Sequence, residues 1–411
     1  MNKEFYIKNR KKLSDLLPDK SVAVLMAGHE ICRSLDEAYD FSVNRSFYYF
    51  TGINEENDIL LIVKENGKAR SILFINPYDE LKAKWVGRKL LRDEVIELSG
   101  VDAVRYIREF DEAILEYAKD GFEIHMDTTK CLFDEPYTPE RYLEEKLNKE
   151  GIKVLNLRSK IVDIRMVKEP EELDEMRKAI NLTRLGLEAV MKNLKAGLYE
   201  YQVESYFDQS IKFNGCSDFA FKTIAASGKN ACVLHYHTND SLIPENSLML
   251  FDLGAEYNLY KSDISRTYPV SGKFSPKQKQ IYEIVLNAQK EAFNAMKPGV
   301  TIKELNQVVI NFYAKELKKI GLIKDDSEVT KYYFHSVSHH IGLDTHDISG
   351  RDLPLKAGSV ISNEPGLYIP EFEIGIRIED DVLITENGAE WLSKEIIKEV
   401  NDIENFMANN K

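Results

Sequence analysis

The stretch Met249 to Tyr268, MLFDLGAEYNLYKSDISRTY, constrains this chain most, because it sets two aspartates into segments otherwise suited to β-strands. Leu248, Leu250, Phe251 and Leu253 supply strand character before a turn, and Ile264, Thr267 and Tyr268 supply it afterwards. Tyr257-Asn258 sits at the centre, and asparagine tolerates the left-handed backbone of a tight turn. A hairpin symmetric about those two residues puts Asp252 directly opposite Asp263. Facing side chains have Cβ atoms about 4.5–5.5 Å apart, where like charges are destabilising. Either a cation lies between the two carboxylates or the hairpin is exposed and both are solvated. The segment alone leaves both readings open.

The 411 residues exceed one typical domain, so two or three are expected. Residues 1 to about 155 read as an α/β unit. SVAVLMAG, DILLIVKENGKARSILFIN and FEIHMD are strand-like, with Asn66-Gly67 as a hairpin turn. Helical patterns run over Glu4–Leu17, Leu91–Leu98, Phe110–Ala118 and Pro139–Lys149. The aromatic run FSVNRSFYYFTG (41–52) reads as core packing that ends on a turn glycine. Between Leu155 and Pro170 the character changes, and we divide the chain into domains 1–160 and 161–411. Pro170 followed by two glutamates suits a helix N-terminus. An amphipathic helix is predicted over Glu171–Lys195, closed by Gly197, and a second over Glu200–Asn214. A third starts after Ser275-Pro276 and ends at Pro298-Gly299. A fourth begins at Thr301, with Glu304 at capping-box spacing. From Tyr332 onward the pattern is mostly strand and loop.

A formal charge of −13 argues against nucleic acid or an anionic membrane surface as the main partner. MNKEFYIKNRKKL is basic but leads into no apolar core of the kind a secretory signal needs. No run approaches the roughly 18–20 apolar residues of a membrane helix. Cys32, Cys131, Cys216 and Cys232 are scattered without a framework, which suits a reducing compartment, so a cytoplasmic protein is expected.

Six of the eight histidines fall at 235, 237, 335, 339, 340 and 346, four of them within FHSVSHHIGLDTHD (334–347). A lone histidine is usually a core residue, whereas a cluster beside glycine and aspartate points to metal binding or proton transfer. Two carboxylates also stand in apolar surroundings, Glu364 in SVISNEPGLYIP and Glu379 in IGIRIEDDVLI. Strand alternation puts Arg377 and Glu379 on one face and Ile376 and Ile378 on the other. A charge in a half-buried strand needs a partner, and Arg377 or a lysine is the plain structural one for Glu379. Adding Asp252, Asp263, His339 and Glu364 changes the balance. One histidine with four carboxylates is too acidic for a structural zinc site and suits two harder divalent ions such as Mn2+. Two ions about 3.5–4 Å apart would acidify a bridging water and polarise a carbonyl.

DLGAEYNLYKSDISRT, HSVSHHIGLDTHD, SNEPGLY and GIRIEDD together resemble the methionine aminopeptidase/prolidase family with the pita-bread fold, and within it the aminopeptidase P branch. The likeness spans about 165–411. FSVNRSFYYFTG and KWVGRK resemble the domain that precedes the catalytic one in aminopeptidase P and the longer prolidases. The resemblance implies an α/β amino-terminal domain followed by an α+β pita-bread catalytic domain holding two divalent ions per subunit, Mn2+ foremost. It implies that Asp252 chelates one ion, that Asp263 and Glu379 bridge both, and that His339 and Glu364 complete the other. His235 and His346 match histidines that position substrate and carry protons, and Arg377 would orient Glu379 or a peptide carbonyl. His335 and Tyr368 match positions near a proline pocket. Trp85 matches a tryptophan brought near a neighbouring subunit's site, so a homodimer or homotetramer is expected. His237 and His340 have no such match, and His340, where relatives often carry tryptophan, reads as structural.

The implied reaction is hydrolysis, by a metal-bridging hydroxide, of the bond between an N-terminal residue and a following proline. Its partners would be peptides with proline second. The prolyl nitrogen has no N–H, so a site shaped for it can exclude ordinary peptide bonds. Prolidase, confined to Xaa-Pro dipeptides, is the alternative and needs a cation for the free carboxylate that the sequence does not point out. A non-catalytic binding module is disfavoured because all five ligand positions are present.

Overall fold

In the computed structural model, which describes residues 1–129, 138–350 and 353–410, the chain divides into two units, Met1–Arg165 and Met166–Lys411. Cys131 lies outside the described residues.

The first unit is built on a six-stranded mixed sheet. Asn66 and Gly67 turn at φ 51° and 73°, joining Ile59–Glu65 to Lys68–Ile75 as the predicted hairpin. Ser21–Met26 pairs antiparallel with Ile59–Glu65 and parallel with Glu123–Met126. All six of its residues are buried, as in a strand covered on both faces. Ala103–Tyr106 and Val154–Asn156 extend the sheet in parallel at its two edges. The helices Lys3–Leu16, Arg92–Ser99, Phe110–Lys119 and Pro139–Lys149 form where periodicity predicts them.

Three short helices depart from the sequence reading, one of them Arg158–Arg165 at the end of the unit. Residues 41–52 do pack aromatics into the core, with Phe47, Tyr49 and Phe50 buried, but as a helix, Arg45–Thr51. Asn44 caps it by accepting from the Ser46 and Phe47 N–H groups, and Gly52 ends it at φ 69°. Trp85 lies in Glu80–Val86, a helix none of whose residues is buried.

The second unit pairs its strands antiparallel throughout. One sheet runs Ile224–Ser227, Leu248–Leu253, Ile264–Pro269, and another Val360–Asn363, Asp380–Thr385, Gly388–Trp391. Gly366–Ile369 pairs with Ile374–Arg377. The helices Pro170–Asn193, Glu200–Phe213, Pro276–Ala295 and Ile302–Lys319 supply Leu187, Phe207, Ile281 and Leu305 to the core shared with these sheets. The capping box forms as predicted: Thr301 Oγ1 accepts from Glu304 N at 3.2 Å, and Glu304 Oε2 accepts from Thr301 N at 2.8 Å. A final helix, Val400–Asn409, stands where strand and loop were expected.

The hairpin of 249–268 is real, but its register differs from the expected one. Its turn falls on Asn258-Leu259, at φ 47° and 68°, so Tyr257 pairs with Tyr260 and Asp252 with Ser265. Asp263 is therefore not directly opposite Asp252. Moving the turn by one residue moves each partner by two, and a shift of two leaves the same side chains on the same face. At Gly254 the chain passes from one sheet into another, and a Cβ there would run into the Ser262 carbonyl. Among the described residues no helix is long and apolar enough to cross a membrane.

Candidate metal centre

The acidic candidates stand at strand ends and breaks. Asp252 is near the end of Leu248–Leu253, and Asp263 immediately precedes Ile264–Pro269. Glu364 follows Val360–Asn363, and Glu379 occupies the break between Ile374–Arg377 and Asp380–Thr385. These interruptions free the side chains from strict alternation and let carboxylates from three strand pairs converge.

Three of the four, Asp263, Glu364 and Glu379, converge on His339. Its Nε2 lies 3.3 Å from Asp263 Oδ2, 3.4 Å from Glu364 Oε1 and 3.9 Å from Glu379 Oε1. One ligand atom from each of Asp263, His339 and Glu379 lies within 4.8 Å of the other two. Burial, then the charges of Asp252 and Glu364, pushes the Asp263 carboxyl well above its ordinary range. Burial, then Asp263, does the same to Glu379. Glu379 Oε1 is buried and, among the described residues, accepts no hydrogen bond. Crowded anionic oxygens with an orphaned acceptor among them are what a divalent cation would satisfy, and the donor set of carboxylates with one imidazole fits such an ion.

Arg377 is buried and forks three ways. Nη2 donates to Asp252 Oδ2 at 2.6 Å, Nε to Ser265 Oγ at 2.7 Å, and Nη1 to the Tyr368 hydroxyl at 2.9 Å. Its hydrogen-bonded carboxylate is thus Asp252, and it acts on Glu379 through its charge and through the shared Ser265 hydroxyl. That follows from the strand break at Ile378-Glu379, across which alternation does not carry. Ser265, which the sequence reading passed over, lies 3.1 Å from Asp252 Oδ1 and 2.8 Å from Glu379 Oε2, so its one proton serves either carboxylate. Its only sequence signal is a small hydroxyl two residues past Asp263.

Tyr368 continues the chain to His335 Nε2 at 2.9 Å. His335 Nδ1 lies 2.8 Å from the Ser336 carbonyl, a contact that requires the proton on Nδ1 and leaves Nε2 to accept from the phenol. The Phe334 ring packs 5.3 Å from that of Tyr368. His346 meets His339 edge to face at 4.1 Å, and burial lowers its pKa. His235 is exposed and stacks on His237 at 6.0 Å. His340 is buried, with its pKa lowered to about 4 by burial and by Lys168, consistent with a structural residue. Trp85 belongs to the first unit and is 83 % exposed.

The model of metallopeptidase family M24 matches residues 174–386, and that of the aminopeptidase P N-terminal domain matches residues 6–125. The chain is 34 % identical to the Xaa-Pro aminopeptidase of Haemophilus influenzae, across 98 % of this chain and 97 % of the other. A solved structure assigned as an aminopeptidase P from Bacillus anthracis superposes with a TM-score of 0.97 at 41 % identity, covering 100 % of this chain and 99 % of that one. Aminopeptidase P of Escherichia coli, solved with the inhibitor Pro-Leu, does so with a TM-score of 0.91 at 30 % identity, over 100 % and 99 %.

Proposed function

The chain belongs to metallopeptidase family M24, with an aminopeptidase P N-terminal domain ahead of a pita-bread catalytic domain, and on that premise we propose how its residues carry out the reaction. It is a metal-dependent exopeptidase of the Xaa-Pro aminopeptidase type, hydrolysing the bond between an N-terminal residue and a following proline. The observation that carries the metal reading is the buried Glu379 Oε1, which among the described residues accepts no hydrogen bond, beside Asp263 and His339.

Asp252 would hold one ion, Asp263 and Glu379 would bridge two, and His339 with Glu364 would complete the second; two Mn2+ per subunit suit this oxygen-rich set. When bound, such ions supply a Lewis acid for the scissile carbonyl and a water acidified to near neutrality. Arg377 holds Asp252 in place through a charge-assisted bond, leaving further lone-pair positions on that carboxylate for an ion. His235 and His346 hold the peptide carbonyl and carry the proton that the departing prolyl nitrogen needs. His335, Tyr368 and the neighbouring Phe334 wall the pocket for the prolyl ring. Trp85, far more exposed than a tryptophan ordinarily is, completes the pocket of a neighbouring subunit in a homodimer or homotetramer. The net charge and the free Cys32, Cys216 and Cys232 suit a cytoplasmic enzyme acting on peptides, not on nucleic acid or membranes.

The test is a parallel assay of manganese-loaded protein on an Xaa-Pro dipeptide, an Xaa-Pro-Yaa tripeptide and an Xaa-Ala-Yaa control, with metal counted per chain. Cleavage of the tripeptide before proline, with the dipeptide much slower, is expected. Preference for the dipeptide would make the enzyme a prolidase, which the Xaa-Pro aminopeptidase relatives do not favour. Two bound metals with no cleavage would point to a binding module.

A further inference from the structure

Glu200 is wholly buried in the first turn of the helix Glu200–Phe213, yet its side chain bonds only to one excursion of the chain, residues 227–241. Oε1 accepts from Ser227 N and Ser227 Oγ, both at 2.7 Å, and from Asn230 Nδ2 at 3.1 Å. Oε2 accepts from the Tyr236 hydroxyl at 2.8 Å and from Ser241 N at 3.0 Å. One turn later on the same helix face, Glu204 Oε2 accepts from Asn239 Nδ2 at 2.9 Å. The helix start adds its own free N–H groups: Glu200 N donates to Ser241 O and Tyr201 N to Asn239 O. Both ends of the excursion and its middle are therefore tied to one helical turn.

The excursion carries His235. That side chain is exposed, and among the described residues its ring makes no hydrogen bond and meets only the His237 ring. With no hydrogen bond to the ring, its placement falls mainly to the backbone, and the next residue, Tyr236, is fixed by its bond to Glu200. A buried carboxylate satisfied by five donors is costly to disturb, so the anchor is stiff.

We propose that Glu200 is a positioning residue for the peptidase reaction, holding the 227–241 excursion, and through Tyr236 the side chain of His235, where substrate is bound. Glu204 secures the far end through Asn239. The inference rests on reading His235 as a residue that acts on substrate.

A double-mutant cycle on the metal-loaded full chain tests it, using Glu200→Gln, His235→Ala and the pair. Glutamine turns one acceptor oxygen into a donor facing another N–H, loosening the anchor without emptying the site. Glu200→Gln is expected to lower kcat/KM by about 10–100-fold, mirroring the kcat-against-KM pattern of His235→Ala, with metal content unchanged. In the His235→Ala background the same change should cost less than about twofold. Equal fold losses in both backgrounds, or an unchanged rate for Glu200→Gln, would overturn the proposal while leaving the role of His235 intact. Full activity of His235→Ala would instead remove the histidine reading and the proposal with it. If Glu200→Gln does not fold, Tyr236→Phe, which removes one hydroxyl, enters the same cycle with the same criteria.

Discussion

Arg377 Nη2 and Asp252 Oδ2 stand 2.6 Å apart, joining residues 125 positions distant in the chain. Because the same guanidinium also holds Ser265 and Tyr368, it links Asp252 to His335. A lysine there keeps the charge but has one nitrogen on a flexible stem and cannot span all three partners. Arg377→Lys is expected to lower kcat/KM by about 10–100-fold and to weaken metal retention. Kinetics with a metal titration checks this; a lysine variant at full rate would show that charge alone suffices.

Metal removal should make stability depend on pH. Burial and mutual repulsion raise Asp263 and Glu379, so without a cation the folded state holds their protons more tightly than the unfolded chain does. For groups raised in this way the contribution is complete below the unfolded values near pH 4 and is lost as pH climbs through the folded ones. Chelated protein should therefore melt at progressively lower temperature as pH rises above the unfolded values near 4, while bound metal offsets the loss by mass action. Glu379→Gln should raise the melting temperature of the chelated protein and reduce the metal-induced gain. Calorimetry with and without chelator reads both effects.

A second pH effect belongs to the first unit. Asp58 is 3 % exposed, and burial, then the charge of Glu55, pushes its carboxyl up to about 8. Its raised pKa favours the fold fully below about pH 4, and that contribution drains away as pH rises toward the folded value. Asp58→Asn, which cannot ionise, should match wild type near pH 4 and exceed it at pH 7 by on the order of 1–3 kcal/mol. Urea unfolding across that range is the measurement, and a constant difference between the two proteins would contradict the assignment.

The capping box at Thr301 and Glu304 gives a stability prediction unconnected to catalysis. Thr301→Ala should cost about 1 kcal/mol by leaving the Glu304 N–H unpaired, with kcat unchanged. Thr301→Ala combined with Glu304→Ala should cost less than the sum of the two, because the bonds are reciprocal.

Much of the candidate site was legible because its residues fall in short segments. Asp252 and Asp263 in strand-like surroundings, four histidines within 334–347, and Glu364 and Glu379 among apolar residues each pointed to buried charge needing a cation. The helix Arg45–Thr51 was hidden because two turns dense in aromatics show no clear period, and Glu80–Val86 because it buries nothing. Val400–Asn409 did carry a signal, Ile403 and Met407 four apart and both buried, that the strand-and-loop reading overlooked. Glu200 looked like an ordinary first-turn acid, since its partners lie 27 to 41 residues away.

What the sequence determined by itself was the inventory: which residues can ligate, where strands and long helices lie, and that the excess of carboxylates calls for a cation. Those properties depend on side-chain type and on periods of two or 3.6 residues, which neighbours along the chain set. Only the tertiary structure decided the pairings: Asp252 with Ser265 and Arg377, Ser265 shared with Glu379, and His339 among three carboxylates. Each of these turns on a displaced turn or a strand break, and on burial that leaves Glu379 Oε1 without a hydrogen bond among the described residues. Register and burial are set by contacts between segments far apart in the chain, so local residue patterns do not contain them.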